Sequence, residues 1–197
     1  MNNALIIFTK NPVYGKVKTR LAATIGKKKT LEIYTDLINH TFLITKNFAG
    51  DKIVFYSDEI ISDDVWKNGY SKQRQHGNDL GEKMKTAFDF IFKNKNSKAI
   101  IIGTDCPELN EEIISKAFIQ LDKHDIVIGP AADGGYYLLG MKKIQHQLFK
   151  NIEWSTDNVC KTTINLCKQN NLNYFLLPTL HDVDEEKDLI YLNLIHK

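Results

Sequence analysis

Residues 99–107 read AIIIGTDCP: an apolar run with no polar interruption, closed by Gly103 and followed at once by Thr104, Asp105, Cys106 and Pro107. A run of this length and purity predicts a strand covered on both faces, as central strands of parallel sheets are. An acidic residue just beyond such a strand lies at the carboxyl edge of the sheet, where open α/β folds bind their ligands. Pro107 turns the chain away, so Asp105 stays at that edge. Working outward, Leu80, Met84, Ala87, Phe88 and Ile91 recur at helical spacing before this strand, and Ile113, Ile114, Ala117, Phe118 and Leu121 do so after it. The same alternation continues in both directions. Ala4–Phe8 and Lys52–Ser57 read as strands, with a further short strand around Ser71–Gln75, and Leu31, Tyr34, Ile38, Thr41, Phe42 and Thr45 mark a long helix. Downstream, Asp125–Gly129 and Tyr136–Met141 read as strands, followed by a helix over 156–170, a strand Tyr174–Leu177, an acidic loop and a closing helix from Asp188. Strands alternating with helices predict βαβ units and a mixed, mostly parallel sheet with helices on both faces. Only a short loop separates Gly129 from Tyr136, too little for a helical crossover, so those two strands are either antiparallel neighbours or separated by a sharp change of direction.

Composition fits one such domain over residues 1–197. Apolar residues make up 43% and charged residues 25%, with 11 Gly and 4 Pro, which excludes disordered and collagen-like chains. No stretch approaches the ~18 apolar residues of a membrane span, and MNNALIIFTK has no basic leader ahead of its short apolar run, so a cytoplasmic protein with no membrane partner is expected. Cys106, Cys160 and Cys167 form an odd set without a CxxC pair, which fits a reducing compartment and argues against structural zinc. The net charge of +2 is too small to indicate a nucleic-acid binder. Its distribution is more telling. Lys10, Lys16, Lys18, Arg20, Lys27, Lys28 and Lys29 stand near the start with no acidic residue among them, whereas Asp182, Asp184, Glu185, Glu186 and Asp188 crowd a loop near the end. Basic and acidic loops brought together would suit a metal-bound phosphate compound.

Five loops that follow strands carry the chemistry, each with a plainer reading beside the functional one. The first, Thr9 to Leu21, places Lys18 and Arg20 two apart to grip a diphosphate, or is a solvated basic loop. It is not a Walker loop, since Val17 stands where Ser or Thr should follow Gly15-Lys16. Asp105 anchors Mg²⁺, or caps the helix that starts near Asn110, although Asn110 is itself a good cap. Asp133, next to Gly134, Gly135 and two tyrosines, presents a base or belongs to an ordinary Asp-Gly turn, and the two readings are compatible. Gln75, Gly77, Asp79 and Gly81 offer backbone N–H groups to a base, ribose or phosphate, or simply begin a capped helix. The segment His181 to Glu186 supplies a second set of hard oxygen ligands, Asp184 first, with Asp182 or His181 behind it, or is an acidic helix start that complements the dipole. Trp154-Ser155-Thr156 reads as the capped beginning of the helix over 156–170, and Cys160 and Cys167 as core.

Taken together and in this order, FTKNPxxGxVKTRL, QxGxDLGEKM, GTDCP, GPAxDGGYYLLG, WST and DVD resemble the bacterial GT-A-like transferase family formerly called a domain of unknown function. Members accompany radical SAM or selenium-related genes, and some are tied to glycosyl transfer in arsenosugar biosynthesis. The resemblance spans about residues 4 to 190. It implies the nucleotide-diphospho-sugar transferase fold, which GT-A glycosyltransferases share with nucleotidyltransferases such as the molybdenum-cofactor and F420 guanylyltransferases. It further implies that Lys10, Gly15, Thr19, Gln75, Gly77, Asp79, Gly81, Thr104, Gly134 and Gly135 meet the nucleotide substrate, with Lys18 and Arg20 on its phosphates. Asp105 takes the place of the metal-binding aspartate and Asp133 faces the acceptor. Where the glycosyltransferase pattern has two carboxylates, this sequence has only Asp105 between Thr104 and Cys106, which leaves Asp182 and Asp184 to complete a Mg²⁺ or Mn²⁺ site. The activity implied is transfer from a nucleotide-diphospho-sugar to a small-molecule acceptor. The same fold also serves a guanylyl- or cytidylyltransferase releasing pyrophosphate, and a non-catalytic nucleotide-binding subunit; a homodimer is allowed by each.

Overall fold

The computed structural model describes residues 3–94 and 97–195. Seven strands, β1 (Asn3–Thr9), β2 (Asp51–Tyr56), β3 (Ser71–Arg74), β4 (Lys98–Ile102), β5 (Ile126–Pro130), β6 (Tyr136–Met141) and β7 (Tyr174–Leu176), form one sheet in the order β3-β2-β1-β4-β6-β5-β7. Strands β1, β2, β3 and β4 run parallel, and β5 and β7 run parallel to each other. Only β6 opposes its neighbours, pairing antiparallel with both β4 and β5. The short Gly129 to Tyr136 connection therefore joins antiparallel neighbours, and inserting one reversed strand lets β5 return to the common direction.

Alternation of side chains divides the core into two layers. Leu5 and Ile7 of β1 and Ile100 and Ile102 of β4 face helices α2 (Lys27–Thr45) and α4 (Glu111–Gln120), packing with Tyr34, Ile38, Ile114, Ala117 and Phe118. Ala4, Ile6, Ala99 and Ile101 face the other way, onto Met84, Ala87, Phe88 and Ile91 of α3 (Leu80–Lys93) and Cys160 and Cys167 of α5 (Val159–Gln169). A third, smaller cluster joins Leu21 of α1 (Thr19–Ile25) to Ile33, Leu37, Val183 and Leu192. All three cysteines are buried and free. No helix among the described residues is long and apolar enough to cross a membrane.

Three local expectations need correction. The first basic loop contains a helix, α1, that starts right after Lys18, whose backbone takes the left-handed conformation at φ 45°. Residues 154–158 are not the start of a helix. Ser155 is left-handed at φ 66°, the Thr156 hydroxyl donates backward to the Glu153 carbonyl, and α5 begins only at Val159. The closing segment is a 3₁₀ helix, Glu186–Leu194, opened by a reciprocal capping box between Glu185 and Asp188. That cap sets the start two residues ahead of Asp188, because it satisfies the free N–H groups of the first turn. Asn110 and Asp79 do act as caps, accepting from the N–H groups of Ile113 and Glu82 at 3.0 and 2.8 Å.

The bend at 154–158 is held by two close approaches. A Cβ on Gly81 would fall inside the indole of Trp154, and one on Gly134, at φ 91°, would strike the Asp157 carbonyl. Gly81→Ala forces the Trp154 ring out of its seat on α3 and is expected to cost about 1–3 kcal/mol, as overpacking does. Thermal denaturation followed by circular dichroism should show a lowered Tm, and an unchanged Tm would mean that Trp154 does not rest there.

Candidate functional site

The loops after β1, β4 and β5 meet at the carboxyl edge of the sheet, and a buried tyrosine ties the first two together. Tyr34, on α2 and 1% exposed, donates its hydroxyl proton to the Lys10 carbonyl at 3.1 Å and accepts the Lys10 N–H at 2.9 Å. The Thr104 hydroxyl lies 3.3 Å away on the same oxygen. Burial, with the charge of Asp105 adding to it, raises the Tyr34 pKa above the usual phenol range, so it acts as a neutral bracket. Asn11 fastens the same loop to the one after β2, accepting from the Asp58 N–H at 3.1 Å and donating to the Glu59 carbonyl at 2.8 Å.

Near the end of the chain, the acidic loop is threaded between the other two. Leu180 N–H donates to the Pro130 carbonyl at 3.1 Å and Ala132 N–H to the Leu180 carbonyl at 2.9 Å, after which Val183 N–H donates to the Asp105 carbonyl at 2.9 Å. Val183 is fully buried beneath α1 and α2, so Asp182 and Asp184 on either side of it are carried to the site.

An ionic cluster results. Lys18, its side chain only 7% exposed, places Nζ 2.9 Å from Asp105 Oδ2 and 3.7 Å from Asp184 Oδ1. Arg20 reaches the other oxygen of Asp184 at 3.0 Å from solvent. Burial works to lower the Lys18 pKa, but Asp105 and then Asp184 and Asp182 outweigh it and raise the value, so the ammonium stays charged. The opposite holds for Asp182. Burial, then the charges of Asp105, Asp133 and Asp184, overcome the help of Lys18 and push its carboxyl up to about 7. Around Asp182 the acids outnumber the cations.

Asp133 stands exposed on the turn between β5 and β6, with Oδ1 accepting the Gly135 N–H at 2.9 Å. Behind the turn, Cys160 N–H donates to the Gly134 carbonyl at 2.9 Å and fixes it on α5. Thr19 and Arg20 form the exposed first turn of α1, while the side chains of Lys10 and Lys16 enter no ion pair among the described residues. Gln75 has structural duties: its amide donates to the carbonyls of Phe55 and Thr9 at 2.9 and 3.3 Å, clamping the ends of β1 and β2. The carboxylate of Asp79 caps α3, and Gly77 lies pressed against Glu82 and Lys83. Among these residues, backbone groups are what remains for a ligand. His181, considered as a metal ligand, is turned elsewhere. Its N–H and Nδ1 both contact Glu108 Oε2, at 2.7 and 2.8 Å, and its ring stacks on Tyr191. Cys106 is buried, and that burial pushes its thiol pKa up, the opposite of what activates a cysteine nucleophile.

Among the described residues, no three Asp, Glu, His or Cys side chains stand as a preformed metal cage. Mg²⁺ nevertheless asks only one or two carboxylates of a protein and completes its shell with phosphate and water. Asp105 with Asp184 or Asp182, in a cluster that carries surplus negative charge, is a donor set of that kind. Sequence reasoning did not find the roles of Tyr34, Glu108 and Val183. Tyr34 and Val183 look like core residues in sequence, and what they do depends on which loops fold against them.

Known proteins resemble this arrangement at several levels. Residues 42–156 match the family described as "Uncharacterized protein conserved in bacteria (DUF2064)". No curated protein matches the sequence. The crystal structure of a candidate nucleotide-diphospho-sugar transferase from Desulfovibrio desulfuricans G20 is 30% identical over 96% of this chain and 85% of its own, with a TM-score of 0.89. CMP:2-keto-3-deoxy-manno-octonic acid synthetase complexed with CTP is similar over 100% of this chain and 98% of its own, at 10% identity and a TM-score of 0.60. Rv0371c from Mycobacterium tuberculosis H37Rv, complexed with manganese, gives 98% of both chains, 10% identity and 0.59. The last two likenesses show the fold alone. On the match over residues 42–156 and on its fold, which is that of the nucleotide-diphospho-sugar transferases, the chain belongs to the bacterial DUF2064 family.

Proposed function

We propose that this protein is a metal-dependent transferase that moves a glycosyl group from a nucleotide-diphospho-sugar to a small-molecule acceptor. The observation that carries the reading is the meeting of Lys18 and Arg20 with Asp105, Asp182 and Asp184 at the carboxyl edge of the sheet, beside Asp133. Similarity to the Desulfovibrio protein supports a nucleotide-diphospho-sugar as the donor class. The resemblance to that family of transferases supports a small-molecule acceptor.

The chemistry follows from where charge must go. Breaking a glycosyl–phosphate bond builds negative charge on the leaving diphosphate, and fixed cations aimed at that charge lower the barrier. Lys18 is held charged in a nearly dry position, where an ammonium acts strongly, and Arg20 is free enough in solvent to fold over a phosphate with its forked donors. Asp105 and Asp184, with Asp182 at hand, would hold Mg²⁺ or Mn²⁺, which when bound supplies Lewis-acid stabilisation of the diphosphate. Asp133, oriented by the Gly135 N–H, takes the proton from the acceptor hydroxyl as that oxygen attacks the sugar. The exposed turn gives the acceptor access from solvent.

A thermal-shift series with UDP-, GDP- and CDP-sugars, with and without Mn²⁺, tests this, because a ligand that prefers the folded state raises Tm. A Mn²⁺-dependent rise that Asp105→Ala abolishes is expected. Release of pyrophosphate from a nucleoside triphosphate, in place of nucleoside diphosphate from a nucleotide sugar, would overturn glycosyl transfer in favour of nucleotidyl transfer. Asp133→Asn should keep the thermal shift and lose roughly 10²–10⁴-fold in turnover, measured as nucleoside diphosphate released. A fully active Asp133→Asn would remove it as the base.

The acid cluster also has a pH signature in metal-free buffer. The Asp182 carboxyl titrates near 7 in the folded protein against an ordinary 3.8, so between these values the folded chain binds the extra proton. Stability from this group is therefore complete below about pH 4 and is lost progressively as the pH climbs to about 7. Relative to Asp182→Asn, the wild-type Tm should fall across that interval, and parallel Tm profiles for the two proteins would contradict it.

A further inference from the structure

Lys18 occupies an unusual place for a lysine. It sits in the left-handed region at φ 45° and ψ 53°, just before α1, a backbone state that side chains other than glycine rarely adopt. That turn buries Val17 and brings the Lys18 chain inward until its side chain is only 7% exposed. Its ammonium bridges carboxylates from the two loops proposed as metal ligands, Asp105 at 2.9 Å and Asp184 at 3.7 Å. Asp184 divides its oxygens, one toward Lys18 and one toward Arg20.

A single ammonium is a poor final occupant of this position. Asp105 and Asp184 both contact the Lys18 ammonium, and the carboxyl groups of Asp182 and Asp133 gather beside them, so acidic groups outnumber the one buried cation. A divalent ion would satisfy the carboxylates better, but it cannot share them with an ammonium in contact, since like charges at that range repel strongly where water is scarce. Lysine suits an exchange of this kind. Its charge is a point on a flexible stem that can move without the backbone moving, unlike the planar fork of arginine.

We infer that Lys18 is a tethered placeholder cation: it holds Asp105 and Asp184 together in the free protein, gives way to the divalent ion, and carries its ammonium onto the diphosphate that arrives with that ion. The inference rests on the reading of Asp105 and Asp184 as metal ligands, and adds to it that free metal and Lys18 compete. Displacing Lys18 without a phosphate to receive it is unfavourable, so metal alone binds weakly and binds better in company with a diphosphate.

Mn²⁺ binding to the intact protein, read by the loss of the free-ion EPR signal in the absence of any nucleotide, tests the competition directly. Lys18→Met keeps the length of the chain and removes the charge, and is expected to bind Mn²⁺ at least about tenfold more tightly than wild type, within the usual range for coupling between sites. Lys18→Gln should behave the same way and guards against a fold defect peculiar to one variant, with circular dichroism confirming native structure. Mn²⁺ affinity unchanged or weakened in both folded variants overturns the placeholder role, since a merely structural lysine would not tighten metal binding when lost. Adding Asp105→Asn to Lys18→Met separates the two levels. If the double variant loses Mn²⁺ while Lys18→Met alone is no tighter than wild type, the metal site stands and the competition falls. If Mn²⁺ binding is indifferent to Asp105→Asn, the metal reading falls and takes the placeholder with it.

Discussion

The bond from the Val183 N–H to the Asp105 carbonyl is the splice on which the site depends. It is a main-chain bond, so it depends on no particular side chain, yet it fixes the register between the acidic loop and the loop after the central strand. Val183, buried under α1 and α2, keeps that register by its apolar anchorage, and the alternation Asp182-Val183-Asp184 then turns both acids toward the basic loop. Without this bond Asp184 would remain a surface acid near the chain end, and Lys18 would face Asp105 alone.

Charge and burial act against each other throughout the cluster. A partly dry position strengthens the attraction of Lys18 for Asp105, and the same dryness makes it costly for Asp182 to ionise beside three other acids. The exposed pair of Arg20 and Asp184 contributes little to stability, since water and salt screen it. The cluster is thus tight on its inner side, where Tyr34 and Val183 brace it, and open on its outer side, where Arg20 and Asp133 stand exposed.

Most of the fold is legible in the sequence because its strands are pure and its helices regular. The run AIIIG reads as a doubly covered strand because nothing polar interrupts it, and the short Gly129 to Tyr136 link demanded an antiparallel or sharply turned neighbour. Capping residues were readable for the same reason, since Asn110 and Asp79 stand just ahead of apolar periodicities. Where the reading failed, the deciding contact was tertiary. The stretch 154–158 has a helix-like start, but the docking of Trp154 on Gly81 and of Asp157 on Gly134 bends it away. The helix after Lys18 was hidden because its apolar content is little more than Leu21, Ala22, Ala23 and Ile25, and its burial comes from Val183 and Leu192, far away in sequence. Of the site itself, the acids and cations were visible as charged groups in the loops that follow strands; that Gln75 would be used up on backbone carbonyls was not.

Because the acidic loop is threaded between turns made much earlier in the chain, the order of synthesis matters. A nascent polypeptide that has delivered β1 through β6 to the solvent already possesses its basic bend, Asp105 and Asp133, but nothing yet supplies Asp182 or Asp184. The acidic loop follows all of these turns in the sequence, so its acids seat onto bends that are already made. Assembly of the cluster is in this sense ordered along the chain: early segments build the berth, and a late one docks into it.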